Sequence, residues 1–368
     1  MDVNEKKLEA HKKRVKYGYL MAIFCAIFWG IWYVPGNFIW GFDVITEFQD
    51  IIAGMGHDVN VGFLAAAVLI TALNAAFVIF SYLIWNLVLG KAKFSEMKRS
   101  LKELRACTKY YFFGALCGGP IAILGSFIAM GYIGGAFAAV AALAYPVIGT
   151  LLARTWLGQK ISHRALAGIL IILVGSISIY GIGMMEDLSK GGSMIGYIGG
   201  IMALCGWGVE GAIAAKGLDV SEPDIAITLR FAMENIIWWV VAIPILLLLS
   251  FPVLEYAWLM ISDPVILLSL VMLGLTFGFC YVAWYKSFPL IGVGRGQGIG
   301  SLYGLCAVIF LILFTGIAAA GETLPKQLSL ILGAILCTVG TIVMFTEKTE
   351  NVECLREGEG TEAGDERQ

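Results

Sequence analysis

Apolar runs of about twenty residues or more, separated by short polar or glycine-bearing breaks, follow one another along most of the chain. A helix of that length crosses the roughly 30 Å hydrocarbon core of a bilayer, and crossing segments must satisfy their backbone groups internally. The pattern predicts an all-α integral membrane protein with ten transmembrane helices. They lie at about 17–41, 62–90, 110–131, 136–157, 164–184, 194–216, 224–250, 264–286, 294–317 and 326–346. Gly134-Gly135, Gly191-Gly192 and Phe251-Pro252 mark junctions. Only a few residues separate spans three and four, which forces those helices to be antiparallel neighbours. The first run, from Tyr17 to about Phe42, is longer than a signal-peptide core and has no clear small-residue cleavage site, so it reads as an uncleaved first helix.

Composition agrees: 59% of the 368 residues are hydrophobic and 14% charged, against roughly 25% charged in soluble domains. Mean hydropathy is +0.84. The net charge of −2 matters less than where the charges fall. With the N-terminus placed in the cytoplasm, the basic tail 1–16 brings Lys6, Lys7, Lys12, Lys13, Arg14 and Lys16 to that side. The second cytoplasmic stretch adds Lys91, Lys93, Lys98, Arg99, Lys102, Arg105 and Lys109. Lys160, Arg164, Lys216, Lys286 and Arg295 follow, while Lys190 and Lys326 alone fall outside, among acids such as Asp43, Glu47 and Asp50. This bias predicts both termini inside and an even number of spans. The acidic segment 347–368 reads as a disordered cytoplasmic tail. The basic runs are explained by topology and by anionic lipid heads, and no aromatic stacking platforms interleave them, so no nucleic-acid partner is expected.

Six of the eight cysteines lie in apolar stretches as small hydrophobes, Cys107 and Cys354 do not, and no pair has metal-ligand spacing. His11, His57 and His163 fall in the tail or loops, so no intramembrane metal site and no cofactor is expected.

Internal echoes divide the chain. Phe28-Trp29-Gly30-Ile31 in span one is matched by Gly206-Trp207-Gly208-Val209 in span six. The stretch Gly168 to Gly175 in span five is echoed by Gly333 to Gly340 in span ten. Ile133-Gly134 leads to Tyr145-Pro146 at the spacing by which Ile291-Gly292 leads to Tyr303-Gly304. A five-span unit used twice, 17–185 and 194–346, must be inverted in its second copy because five is odd. Inverted repeats mark secondary transporters, with the substrate near the midplane between the halves.

These repeats resemble the EamA-type units of the drug/metabolite transporter superfamily, over about residues 17–346. The likeness rests on the Trp-Gly element, on Ala139 to Pro146 leading into Leu157-Gly-Gln-Lys160, and on the Gly168–Gly175 helix. The second unit is looser, with Gly304 in place of Pro146 and no Leu-Gly-Gln-Lys equivalent. The resemblance implies ten helices around a central cavity lined from both halves, and leaves the substrate open among amines, amino acids, sugars, nucleotide sugars and drugs. The outer segment 42–61 exceeds the family's usual first loop and reads as an insertion, with a partial lid as the alternative.

Ionisable side chains at membrane depth usually face a cavity or a partner. Three qualify: Glu210 in span six, and Arg230 and Glu234 in span seven. Glu210 lies one turn after Trp207 on the same side of its helix. With no basic neighbour in its own span, it suits proton coupling. Arg230 and Glu234, four apart, form either a structural ion pair or a substrate site that opens as the pair changes partners. Trp29, Trp32, Tyr33 and Asn37 share span one with Pro35-Gly36, which is expected to kink that helix mid-membrane and expose backbone groups. Asn74 and Asn235 lie at matching depth in spans two and seven, and Tyr145 and Tyr303 are repeat-related. Each of these either lines a cavity or holds neighbouring helices together. Trp40 reads as an interface anchor. Gly294-Arg-Gly-Gln-Gly298 follows no strand and lacks the Lys-Ser/Thr ending of a phosphate loop, so it is set aside.

The function expected is secondary transport of a small polar or amphiphilic metabolite by alternating access. An organic cation, amine or amino acid is favoured because carboxylates and aromatic faces suit it. A sugar or other neutral metabolite is the alternative, served by the tryptophans and asparagines. Membrane-enzyme chemistry lacks a nucleophile–base or metal constellation, and a channel lacks a filter repeat. The partners expected are the substrate, the lipid bilayer, and a coupling proton or counter-substrate. The expected location is an inner cell membrane.

Overall fold

The computed structural model describes residues 3–90, 93–189, 194–315 and 324–345, all helical or short connections, with no strand among them. Eight helical stretches are long and apolar enough to cross a membrane: Glu5–Gly41, Val59–Leu89, Cys107–Ile133, Gly135–Trp156, Met194–Leu218, Pro223–Leu248, Pro264–Ile291 and Val293–Phe314. The other two runs, spans five and ten, fall on helices whose apolar parts among the described residues, His163–Ser178 and Ile331–Val343, are shorter. The segment 347–368 and the Gly191-Gly192 junction lie outside the described residues.

Helix α1 (Val3–Phe38) runs unbroken from the basic segment through the first apolar run, with Pro35 inside it. The chain stays helical through Pro35-Gly36 and does not unwind there. Pro35 lies one turn from the end of α1, and beyond Phe38 only a 3-10 turn (Ile39–Gly41) follows, so little helix remains for a bend to redirect. Polar residues of the first turns hold helix through pairs such as Lys13 Nζ–Glu9 Oε1 at 2.7 Å. The segment read as an insertion folds into α2 (Asp43–Gly54), which turns Ile45, Phe48 and Ile52 inward. It packs on α3 (Val59–Leu89). Asp58 caps α3 by accepting from the Asn60 backbone N–H at 2.8 Å.

The basic connection carries α4 (Phe94–Glu103), and α5 (Arg105–Leu116) then continues through a π-helical segment, Cys117–Ile123, into α6 (Leu124–Ile133). Pro120 inside that segment lacks the N–H a regular helix would use, which accounts for the widened turn. The next apolar run is broken in its middle: α7 (Gly135–Ala141) ends in a turn over 142–144, and α8 (Tyr145–Trp156) restarts with Pro146 in its first turn. After α9 (His163–Ser189) and α10 (Met194–Leu218), α11 (Pro223–Ile236) passes through a second π-helical segment, Ile237–Ala242, into α12 (Ile243–Leu248). Then come α13 (Val253–Ser262), which packs on α2 with Phe48 and Tyr256 ring centroids 5.2 Å apart, and α14 (Pro264–Ile291). The following run is again broken, into α15 (Val293–Gly300) and α16 (Tyr303–Thr315), before α17 (Leu324–Phe345).

Packing interlaces the two ends of the sequence. α1 lies chiefly against α14 and α16, α10 against α6 and α8, α3 against α14, α5 against α10 and α11, and α9 against α17. The last pair crosses at glycines: a methyl at Gly175 would sit 3.0 Å from the Gly333 carbonyl oxygen, and one at Gly340 2.5 Å from that of Gly168. Backbones approach this closely in lipid only where side chains are absent. Gly134 and Gly292, both at φ 79°, supply the positive-φ turns ahead of α7 and α15. The described cysteines are all free.

Candidate functional site

Two helices, α10 and α11, bring three charged side chains to one point. Counting rise along the helices, Glu210 is roughly 12 Å from the end of α10, and Arg230 and Glu234 are about 10 and 16 Å from the start of α11. All three are fully buried. Arg230 Nε donates to Glu210 Oε1 at 2.7 Å, and its Nη1 donates to Glu234 Oε2. Tyr281 and Tyr285 of α14 donate to Glu210 Oε2 and Oε1 at 2.8 and 3.4 Å. Trp238 Nε1 donates to Glu234 Oε1 at 3.2 Å. The guanidinium also lies 4.0 Å from the ring centroid of Phe231 and 4.9 Å from that of Tyr281. Arg230 Nη2 donates to no described group.

The cluster fits because the π-helical segment presents no side chains there. A methyl at Gly118 would overlap Arg230 Nη2 and Glu210 Oε2, and one at Gly119 would overlap the Glu234 carboxyl. Two carboxylates share one guanidinium, so with both acids ionised the cluster carries one uncompensated negative charge. At zero exposure such a charge is costly without a partner.

Beside it stands an aromatic block centred on Trp29. Its ring stacks on Tyr303 at 4.4 Å and 17°, and meets Trp207 edge-on at 4.6 Å and 85°. Tyr145, Trp284 and Phe277 follow at 5.6, 5.7 and 6.3 Å. Tyr33 stacks parallel to Tyr303 at 5.7 Å, and Trp32 on Phe277 at 4.4 Å. Each favourable ring pair contributes about 0.5–1.5 kcal/mol beyond area burial. One hydrogen-bond chain joins block to cluster: Trp207 Nε1 donates to Tyr281 Oη at 2.9 Å, and Tyr281 donates on to Glu210. The indole N–H groups of Trp29 and Trp284 are buried with no described acceptor.

Nine of the twelve residues singled out in the sequence therefore meet around this centre: Trp29, Trp32, Tyr33, Tyr145, Trp207, Glu210, Arg230, Glu234 and Tyr303. Asn74 supports it from α3, accepting from Trp32 Nε1 at 3.1 Å. Asn37 and Asn235 lie elsewhere. Asn37 accepts from the Gly135 backbone N–H at 2.8 Å and so ties α1 to the start of α7. Asn235 donates to the Ala75 and Phe231 carbonyls, both at 2.9 Å, bracing α11 against α3.

Sequence reasoning missed the contribution of α14. Phe277, Tyr281, Trp284, Tyr285 and Phe288 recur at helical spacing, a stripe that signals one aromatic face. It also set aside Gln297, which is fully buried against Trp207.

No protein-family model and no curated protein matches this chain. A solved structure described only as "Crystal structure of protein" shares 16% identity and superposes with a TM-score of 0.49, covering 89% of this chain and 95% of its own.

Proposed function

We propose that the chain is a ten-span secondary transporter of EamA type, built from two inverted five-helix repeats in an inner cell membrane with both termini cytoplasmic. It moves a small organic cation, amine or amino acid by alternating access. The observation that carries this reading is the buried Glu210–Arg230–Glu234 cluster, one carboxylate in excess, set against the Trp29 aromatic block. An excess carboxylate calls for a proton or a cation to neutralise it, and aromatic faces accept a desolvated cation. Proton and substrate competing for one carboxylate would couple their movements. The chain needs no cofactor for this and acts as a carrier, not an enzyme.

The repeat reading has independent support in the helix pairing. Exchanging each unit's helices for those of the other turns the α1–α14 contact into α10–α6, α1–α16 into α10–α8, and α3–α14 into α11–α5. The pair α9–α17 maps onto itself. Both fourth spans break one residue before a repeat-related tyrosine, Tyr145 and Tyr303, near the expected midplane. The unpartnered indole N–H groups of Trp29 and Trp284 favour the second reading, a sugar or other neutral metabolite, since hydroxyl oxygens would accept from them.

Counterflow in proteoliposomes against a panel of amines, amino acids and sugars tests this. Saturable exchange of an amine or amino acid, with proton-linked movement lost in Glu210→Gln, is the expected result. Unsaturable conductance, or proton linkage intact in Glu210→Gln, would overturn it.

A further inference from the structure

Beyond the cluster and the block, buried polar atoms without described partners also lie between α8 and α15. The halves α8 and α15, which run from the two midplane breaks to the same end of the bundle, pack against each other. Gln297 of α15 crosses between them: a methyl at Gly149 of α8 or at Gly211 of α10 would overlap its amide. Its Nε2 donates to the Trp207 carbonyl at 3.1 Å, but its Oε1, fully buried, accepts from nothing described. One turn earlier on the same face, Gly294 approaches Thr150, whose Oγ1 is likewise buried and without a described partner. Just beyond lies a cavity of about 20 Å³, room for one water, lined by Thr150, Ala153, Gln159, Lys160, Gly294 and Arg295.

Buried polar atoms are nearly always satisfied, and exceptions need a missing water, ion or ligand. Here two such oxygens, one turn apart, lie between that cavity and the Trp29 block. At the opposing seam, α7 (GAFAAVA) on α16, Leu143 fills the space beside Gly304.

We propose that the α8–α15 seam is the cytoplasmic arm of the transport path, and that Gln297 Oε1 and Thr150 Oγ1 form a binding subsite on it for solutes bearing N–H or O–H donors. The proposal rests on the transport reading for its purpose, and on the proposed orientation for its side. The subsite selects donor-bearing ammonium over fully alkylated ammonium, which has no hydrogen to offer Gln297. Pulling Gln297 out of the Gly149–Gly211 notch opens the arm, and water then satisfies both acceptors.

The test uses the full chain carrying Ala153→Cys in inside-out and right-side-out vesicles, labelled with a membrane-impermeant methanethiosulfonate and compared with the unsubstituted chain. Labelling is expected from the cytoplasmic side alone. Benzylammonium should protect Cys at 153 roughly three- to tenfold better than benzyltrimethylammonium, the worth of one hydrogen bond. Gln297→Leu should erase that preference, and Thr150→Val should reduce it. Should Gln297→Leu not fold, Gln297→Met removes the acceptor with a more pliable chain. Labelling from the outer side, equal protection by the two cations, or a preference that survives both substitutions would each overturn the proposal. Labelling requires no turnover, so a failed counterflow assay beside the expected labelling pattern would remove the transport reading alone.

Discussion

The charged cluster and the aromatic block sit at similar depth, are equally buried, and share Tyr281 at their border, yet they hold together for opposite reasons. The block is held by ring faces and edges, with many small contributions and no single indispensable partner. The cluster is held by three charges that are tolerable only together. Losses in the block should therefore be graded, and losses in the cluster steep.

The sharpest break comes from Arg230→Met, which leaves two carboxylates buried without a counter-charge. It should cost about 3–5 kcal/mol, read as a fall in unfolding midpoint in mixed micelles, and Arg230→Met with Glu210→Gln and Glu234→Gln should recover most of it. Failure of the triple variant to recover would mean the guanidinium matters through packing instead of charge. Trp29→Ala empties the centre of the block and should cost roughly 3–5 kcal/mol, but Trp29→Phe should return more than half of that. An equal penalty for both would break the graded picture. Gly118→Ala pushes a methyl into Arg230 and Glu210 and should cost about 1–3 kcal/mol through overpacking. The same change at Gly90, where a methyl meets open space but φ is 61°, carries only backbone strain. Tyr281→Phe has the smallest expected effect, about 1–2 kcal/mol for the lost link between Trp207 and Glu210. In an Arg230→Met background that loss should change, since the two sites couple, whereas it should be unaltered beside Trp40→Phe, whose ring stacks on Phe63 away from Tyr281.

The contrast also shows what the sequence can and cannot tell. Glu210, Arg230 and Glu234 stand out because charge is rare in apolar runs, so each could be named singly. Their union could not be read: Glu210 and Arg230 are twenty positions apart on different helices, and only the side-chain-free Gly118-Gly119 turn lets them meet. The Trp-Gly echo and Pro35-Gly36 point to the aromatic residues of α1, and nothing comparable marks those of α14, whose stripe is embedded in a uniformly apolar helix. Pro35 leaves α1 helical through Phe38, while the interruptions of the bundle lie at 142–144 and 301–302. The first precedes Pro146, which has no N–H for the Ala142 carbonyl, and Leu143 of that turn is lodged against Gly304. Segment 42–61 reads as an insertion in the sequence, and its packing as α2 on α3 and α13 is visible only in the structure.

The interlacing of α1 with α14 and α16, and of α10 with α6 and α8, bears on how the chain could be assembled from pieces. A fragment ending at Ser189 would carry a first helix whose main neighbours are all on the other fragment, and the fragment starting at Met194 would be in the same position with α10. Neither piece could complete its own interior. Each would be a template for the other, so a nicked or split gene should give two peptides that are degraded when made singly and persist when made together.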